Sequence, residues 1–115
     1  MYYTYMLRCI DNSIYTGITN DLEKRMQDHF SKSKNGAKYT KAHTALRLEM
    51  AWKTKEKADA CKLEYWIKKL SKSQKEAIIS TNDLNRFLGD KLSCGLFEAI
   101  RPPFEDASFY DEYGI

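Results

Sequence analysis

Long apolar segments are missing from this sequence of 115 residues. Its apolar runs extend over only a few residues, whereas a membrane-spanning helix needs about 20. The N-terminal stretch MYYTYMLRC also lacks the basic and then apolar order of a secretory signal peptide. We therefore expect a soluble, cytoplasmic protein with no membrane partner.

Cysteine is scarce, and its spacing is that of isolated residues. Cys9, Cys61 and Cys94 form no Cys-x-x-Cys pair and have no histidine nearby, and their odd number does not suit a set of disulfides. Free cysteine behaves mainly as a small hydrophobic residue. We therefore expect buried, reduced thiols rather than a zinc site.

Repeats, heptads and low-complexity linkers are also absent, as are the patterns of a helix-turn-helix or a zinc finger. The length is that of one domain with a single core. If the protein acts on nucleic acid, its targeting is intrinsic to this domain, supplied by a partner, or absent.

Charge is distributed unevenly along the chain. Residues 98–115 carry five acidic side chains and one arginine, a net charge of −4, whereas the remainder holds 18 basic and 11 acidic side chains, a net charge of +7. A basic body suits a polyanionic partner, because lysines and arginines that neutralise phosphates release condensed counterions. Solvated helix faces are an equally good interpretation of the charge alone.

The first 19 residues predict a β-hairpin. Residues 2–9, YYTYMLRC, have the aromatic composition of a strand, and the turn signal IDNS leads to a second strand at 14–16. Gly17 is expected to end that strand.

A helix is predicted next. Asn20 and Glu23 have the spacing of a capping box. An apolar stripe recurs every fourth residue, and Arg25 and His29, also four apart, share the adjoining face. The stripe consists of Leu22, Met26 and Phe30.

The second half predicts one strand and two or three helices. Alternation at Leu46, Leu48, Met50 and Trp52 indicates a half-buried strand. A helix from near Thr54 to about residue 70 follows, and then a shorter one whose cap is expected at Ser73 with Glu76, with a third possible within NDLNRFLGDKL.

This order predicts an α+β fold, in which a small three-stranded, mostly antiparallel sheet is flanked by helices in the order β-β-α-β-α-α. Residues 1–81 are expected to form the domain. Residues 82–115 are expected to form a C-terminal extension that ends in an acidic, aromatic tail.

Five features of the sequence resemble the GIY-YIG nuclease superfamily, particularly its small stand-alone members related to the nuclease domain of UvrC. YTY at 3–5 and YTG at 15–17 stand at the two signature triplets, Arg25 follows Tyr15 by ten residues, and His29 follows Arg25 by four. GAKYTKAH at 36–43 resembles a segment of the stand-alone branch, and KLEYWIKKL places Glu64 at the family's metal-binding glutamate. The resemblance covers residues 2 to about 80.

Some positions depart from the family pattern. Tyr3 replaces the first signature glycine, and Ile18 stands where some branches have a lysine. The late asparagine of the family has two candidates, Asn82 and Asn85. None of these departures affects the metal ligand.

The resemblance implies a metal-dependent DNA endonuclease that leaves 5′-phosphate and 3′-hydroxyl ends. A single Mg²⁺ or Mn²⁺ ion, held by one carboxylate together with water and substrate oxygens, meets the charge requirements of phosphodiester hydrolysis. Glu64 is the expected metal ligand. From the residues alone, its alternative is a surface ion pair with Lys68.

The other catalytic candidates are Tyr5, Tyr15, Arg25 and His29. The planar fork of Arg25 suits a phosphate. Either Tyr15 or His29 is expected to activate water, and Tyr5 to position it. Plain aromatic packing of Tyr5 and a structural role of His29 are the alternatives.

Candidate substrate-binding residues come from two segments. Gly17 would allow close backbone approach to the substrate. A segment that contacts the DNA strand, or alternatively a solvated loop, is predicted at Lys38, Tyr39, Thr40 and His43.

Two other function classes stay open at this point. One is a non-catalytic nucleic-acid-binding module on the same fold, and the other is a protein-interaction domain that works through residues 98–115. The same tail is a candidate cover for the basic groove, with ordinary docking or disorder of a terminus as its alternative. The preference for single-stranded, duplex or branched DNA, the pathway and the oligomeric state are not determined by the sequence.

Overall fold

A four-stranded antiparallel sheet lies at the centre of the protein, in a computed structural model that describes residues 1–31 and 42–100. The strands lie in the order β2-β1-β3-β4, and helices cover both faces. The predicted α+β class and element order are confirmed, with one more strand than predicted. The strands are β1 (Tyr2–Cys9), β2 (Ile14–Thr19), β3 (Ala45–Thr54) and β4 (Glu98–Ile100), and the helices are α1 (Leu22–Phe30), α2 (Lys57–Lys69), α3 (Lys72–Thr81) and α4 (Leu84–Leu88).

Strand β4 belongs to the predicted C-terminal extension. It pairs antiparallel with β3, with Ile100 opposite Ala51, and follows a short 3₁₀ turn at Cys94–Leu96. Two leucines of α4, Leu84 and Leu88, join the same core cluster as Met50 of β3. The described part of the extension therefore packs on the sheet, while residues 101–115, which hold most of the acidic tail, lie outside the described residues.

The two faces of the sheet carry separate core clusters. Successive residues of a strand point to opposite faces, so Tyr5 and Met6 of β1 belong to different clusters. The face with Tyr5 packs against α1 through Leu22 and Met26. The face with Met6 packs against α2, α3 and α4.

A β-bulge at Glu49 changes which residues of β3 face α1. Leu7 pairs with Leu48 and Met6 with Met50, so Glu49 is the extra residue. Leu48 therefore packs in the α1 cluster while Met50 packs in the other. The prediction that both lie on one face is wrong, because simple alternation does not include the bulge.

The side chain of Glu49 accepts a hydrogen bond from Arg8, at 3.0 Å from its Nη2 atom. Arg8 also forms an ion pair with Glu76 of α3, so one buried guanidinium joins the bulge to a helix. These hydrogen bonds and charges raise the pKa of Arg8 and lower that of Glu76. Glu76 thus anchors α3 and does not take part in the cap predicted for it.

The first two helices begin later than the sequence predicts. Asp21, and not Asn20, caps α1, because its side chain accepts the backbone N–H of Lys24. Helix α2 begins at Lys57, since Thr54 is the last residue of β3.

Helix α3 begins earlier than predicted. Its capping box consists of Ser71 and Gln74, which replace the predicted Ser73 and Glu76. Helix α4 confirms the helix predicted within NDLNRFLGDKL, and Gly89 follows it directly.

The cysteines are free, and only Cys9 is fully buried. Cys61 and Cys94 are partly exposed, so the prediction of three buried thiols is wrong for these two. Within residues 1–31 and 42–100, no helix has the length and apolar character needed to cross a membrane.

Two buried threonines on the α2 side of the sheet generate a stability prediction. Thr4 donates a 2.9 Å hydrogen bond to the carbonyl oxygen of Ala60, whereas the buried hydroxyl of Thr16 has no partner within the described residues. Thr16→Val should raise the free energy of unfolding by about 1 kcal/mol, and Thr4→Val should lower it by about as much. Urea denaturation measures both changes. Equal changes in the two variants would contradict this difference in hydrogen bonding.

Candidate active site

The register of the β1-β2 hairpin brings both signature tyrosines to the face covered by α1. Tyr5 lies opposite Gly17, and Tyr15 lies opposite Leu7. Since directly opposed residues share one face of a sheet, the two phenols lie on the same side. His29, from the last turn of α1, completes a group of three rings.

The rings of Tyr5, Tyr15 and His29 form a triangle. Their centroids are 6.2 Å apart for the two tyrosines, 5.6 Å for Tyr5 and His29, and 5.5 Å for Tyr15 and His29. The hydroxyl of Tyr5 is hydrogen-bonded to Nε2 of His29 at 2.8 Å. This bond connects β1, an inner strand of the sheet, to α1.

Gly17 makes room for this triangle from inside strand β2. A Cβ atom at this position would lie 2.6 Å from the Tyr5 hydroxyl oxygen and 2.9 Å from Cε2 of Tyr15. Both distances are shorter than normal contacts, and the rings that would have to move are buried or half-buried. The prediction that Gly17 ends the strand is wrong, because β2 continues to Thr19.

Burial makes the Tyr5 and His29 pair neutral. His29 is 1% exposed, and its burial, together with the charge of Arg25, lowers its pKa to about 4. Burial and the neighbouring Tyr15 raise the pKa of Tyr5. Near neutral pH the imidazole is therefore uncharged and the Tyr5 phenol keeps its proton.

Arg25 supplies positive charge to the cluster formed by the rings of Tyr5, Tyr15 and His29. Hydrogen bonding and charge from its guanidinium partly offset the rise in the pKa of Tyr5. Asp28, one turn along α1, lies 3.7 Å from Arg25 and 3.5 Å from Lys24. Asp28 was not predicted as a site residue, although its spacing of three from Arg25 is the signal of an ion pair on a helix.

Glu64 lies on α2, the helix on the other face of the sheet. Burial and Tyr15 are the main causes of the raised pKa of Tyr5, and the negative charge of Glu64 is the smallest. Its side chain is 24% exposed and lies 3.4 Å from Nζ of Lys68, whose side chain is 53% exposed. The alternative ion pair is thus present, but pairs this exposed contribute little.

The single carboxylate of Glu64 fits a metal ion whose other ligands come from the substrate and from water. Among residues 1–31 and 42–100, no three histidine, cysteine, aspartate or glutamate side chains gather as a metal cage. Mg²⁺ keeps several waters and often binds through one or two carboxylates and substrate phosphates. A single half-buried glutamate is compatible with that mode.

The remaining predicted residues lie away from the three rings or outside the described residues. His43 is close to Asp11, with 2.6 Å between Nδ1 and Oδ2, at the turn end of the hairpin. Asn82 and Asn85 line a cavity beside Trp52, on the opposite face of the sheet from Tyr5. Lys38, Tyr39 and Thr40 lie outside the described residues.

Comparison with known proteins gives matches along most of the chain. A family model described as the GIY-YIG catalytic domain matches residues 1–77. A UPF0213 protein of Fusobacterium nucleatum is 49% identical over 82 residues, which are 71% of this chain and 80% of that protein. A UPF0213 protein of Halalkalibacterium halodurans is 40% identical over 79 residues, 69% of this chain and 82% of that one.

A solved structure is also similar to this chain. The solution NMR structure of a UPF0213 protein from Bacillus halodurans is 38% identical, covers 81% of this chain and 98% of its own, and gives a TM-score of 0.48.

The residues matched by the family model, 1–77, include both triplets, Arg25, His29 and Glu64. The chain therefore belongs to the GIY-YIG nuclease superfamily, as a small member with UPF0213 relatives.

Proposed function

We propose that this protein is an endonuclease that hydrolyses DNA phosphodiester bonds with one Mg²⁺ or Mn²⁺ ion and leaves 5′-phosphate and 3′-hydroxyl ends. One observation carries the proposal: Tyr5, Tyr15, His29 and Arg25 lie together, and the charge of Glu64 acts on the same phenol. Phosphodiester hydrolysis needs a proton acceptor, a fixed cation and a site for a metal ion in one place. The basic body of the chain supports DNA as the substrate.

Glu64 would hold the metal ion. When bound, the ion supplies neutralisation of negative charge on the phosphate and on the leaving oxygen. The weak ion pair with Lys68 leaves the carboxylate available, because an exposed ammonium is displaced at little cost.

Arg25 is the proposed phosphate clamp. Its guanidinium presents donors in a planar fork, which matches two oxygens of a phosphate. The side chain is 25% exposed, so a substrate can reach it, and Asp28 orients it from within the same helix. The stabilisation is greatest when charge accumulates on the phosphoryl oxygens.

In this proposal the proton of the attacking water goes to Tyr15 in its phenolate form, which the charges of the metal ion and Arg25 would stabilise, with His29 as the alternative acceptor. The hydrogen bond with Tyr5 already occupies Nε2 of His29. Tyr5 keeps its own proton and positions its neighbours, because its pKa is raised. Tyr15 is the less buried of the two phenols.

Glu64→Gln tests the metal ligand. The amide has nearly the same shape but no charge, so Mn²⁺-dependent cleavage of single-stranded, duplex and branched DNA should fall by about 100-fold or more. Glu56→Gln, an exposed glutamate just before α2, is the matched control and should cleave at the wild-type rate. Circular dichroism checks that both variants are folded. Wild-type cleavage by Glu64→Gln would contradict the proposal, and metal-independent binding without any product would favour a non-catalytic binding module.

The lowered pKa of His29 predicts how stability depends on pH. The unfolded chain binds a proton at this histidine below about pH 6.5, whereas the folded protein binds it only near pH 4. The free energy of unfolding should therefore fall as the pH decreases between these values, by on the order of 3 kcal/mol from this residue.

His29→Gln isolates that contribution, because glutamine does not titrate and can still hydrogen-bond to Tyr5. Urea denaturation near neutral pH and at about pH 4.5 should show a smaller loss of stability in the variant than in the wild type. Equal losses would mean that His29 is protonated in the folded state.

Gly17→Ala tests the close approach of the rings. The added methyl group should displace Tyr5 and Tyr15, lower stability by about 1–3 kcal/mol and reduce cleavage. Gly95→Ala is the control, because a Cβ atom at Gly95 would meet no atom within 4 Å beyond its chain neighbours. Comparable losses in the two variants would show that the rings are not the cause.

A further inference from the structure

The outward side of α2 combines aromatic and basic side chains next to Glu64. Tyr65 is 53% exposed, and every other aromatic side chain within the described ranges is buried or half-buried. A single exposed ring needs no explanation by itself. Its surroundings are what make this one informative.

Two ammonium groups lie over two adjoining rings. Nζ of Lys69 is 5.2 Å from the ring centroid of Tyr65, and Nζ of Lys91 is 5.2 Å from that of Trp66. The rings of Tyr65 and Trp66 contact each other edge to face, with centroids 5.1 Å apart. Lys62 is exposed three residues before Tyr65, on the same side of the helix. We call Lys62, Tyr65, Trp66, Lys69 and Lys91 the α2 platform.

The charge of the α2 platform is positive after its acidic neighbours are counted. Asp90 lies 3.8 Å from Lys91, and Glu64 lies 3.4 Å from Lys68. Asp59 is the other acid of α2, in its first turn. These three acids are outnumbered by the lysines of the platform together with Lys68, so the surface attracts anions.

We propose that the α2 platform binds a single-stranded segment of nucleic acid that extends from the active site, so that the preferred substrates are single-stranded or branched DNA. This inference rests on the proposed function, because it gives that site its substrate class. Every base has a π face that stacks on an aromatic ring, and lysines neutralise the neighbouring phosphates. A paired base inside a duplex does not offer that face.

Continuity with the active site supports nucleic acid over a protein partner. Tyr65 directly follows Glu64, and consecutive residues of an α-helix are about 100° apart around its axis. Their Cα atoms are about 3.8 Å apart, so the nucleotide next to a phosphate bound at Glu64 would lie within reach of the Tyr65 ring. One exposed ring among lysines is also far from the wide apolar patch that marks a protein interface.

Binding in a chelating buffer tests the α2 platform without cleavage. Fluorescence anisotropy would measure the Kd of a labelled single-stranded oligonucleotide and of a blunt duplex of equal length. Tyr65→Ala should weaken single-strand binding by about fivefold or more, as expected for the loss of one stacked base, and duplex binding by less than about twofold. Tyr65→Phe should bind like the wild type, because its ring still stacks.

Two further variants separate stacking, charge and general effects. Lys69→Gln should reduce the slope of log Kd against log salt by about 0.7 for the single strand. Ile10→Ala removes an apolar side chain that is 66% exposed, at the hairpin turn, and should change neither Kd.

The failure of this inference is distinguishable from failure of the proposed function. If Tyr65→Ala binds both oligonucleotides like the wild type, or loses affinity for both equally, the α2 platform is not a single-strand site, even in an active nuclease. If the wild type cuts no DNA but Tyr65→Ala loses single-strand affinity alone, the α2 platform stands and the nuclease assignment fails.

Discussion

The hydrogen bond between Tyr5 and His29 is the interaction on which the candidate site depends. It joins strand β1 to α1, in a space that exists because Gly17 has no side chain. Burial keeps both partners neutral, since it lowers the pKa of His29 and raises that of Tyr5. The charges of the cluster therefore come from residues at its border, Arg25 and Glu64, and the neutral pair fixes the positions between them.

These two border residues come from helices on opposite faces of the sheet. Arg25 lies on α1, which covers the face that carries the tyrosines. Helix α2 packs on the opposite face through Leu63. Leu63 is buried and Tyr65 is exposed, so Glu64 between them stands at the border of the apolar side of α2. The same helical geometry turns Tyr65 outward, so adjoining residues of α2 would serve the candidate metal site and the α2 platform.

Much of this arrangement follows from local sequence patterns, and the remainder depends on tertiary contacts. Spacing by four residues predicted that Arg25 and His29 share one face, and aromatic strand patterns predicted the hairpin. The starts of α1 and α3 were displaced because neighbouring polar residues compete for each cap, and that of α2 because β3 continues to Thr54. The bulge at Glu49 and the three-residue β4 lack periodic signals, since each depends on pairing with another strand. The spacing of residues likewise gave no indication of the Tyr5 to His29 bond.

On the proposed function, the charges divide binding from catalysis. Lys24 and Arg25 share Asp28, and Glu64 adds a second negative charge, so these four side chains carry no net charge and offer a phosphodiester little net attraction. Affinity at that point therefore depends on a metal ion at Glu64. The lysines of the α2 platform attract the phosphate backbone without any metal. On the two proposals together, the platform would select which nucleic acid is held, and the metal-dependent cluster would determine whether the held strand is cut.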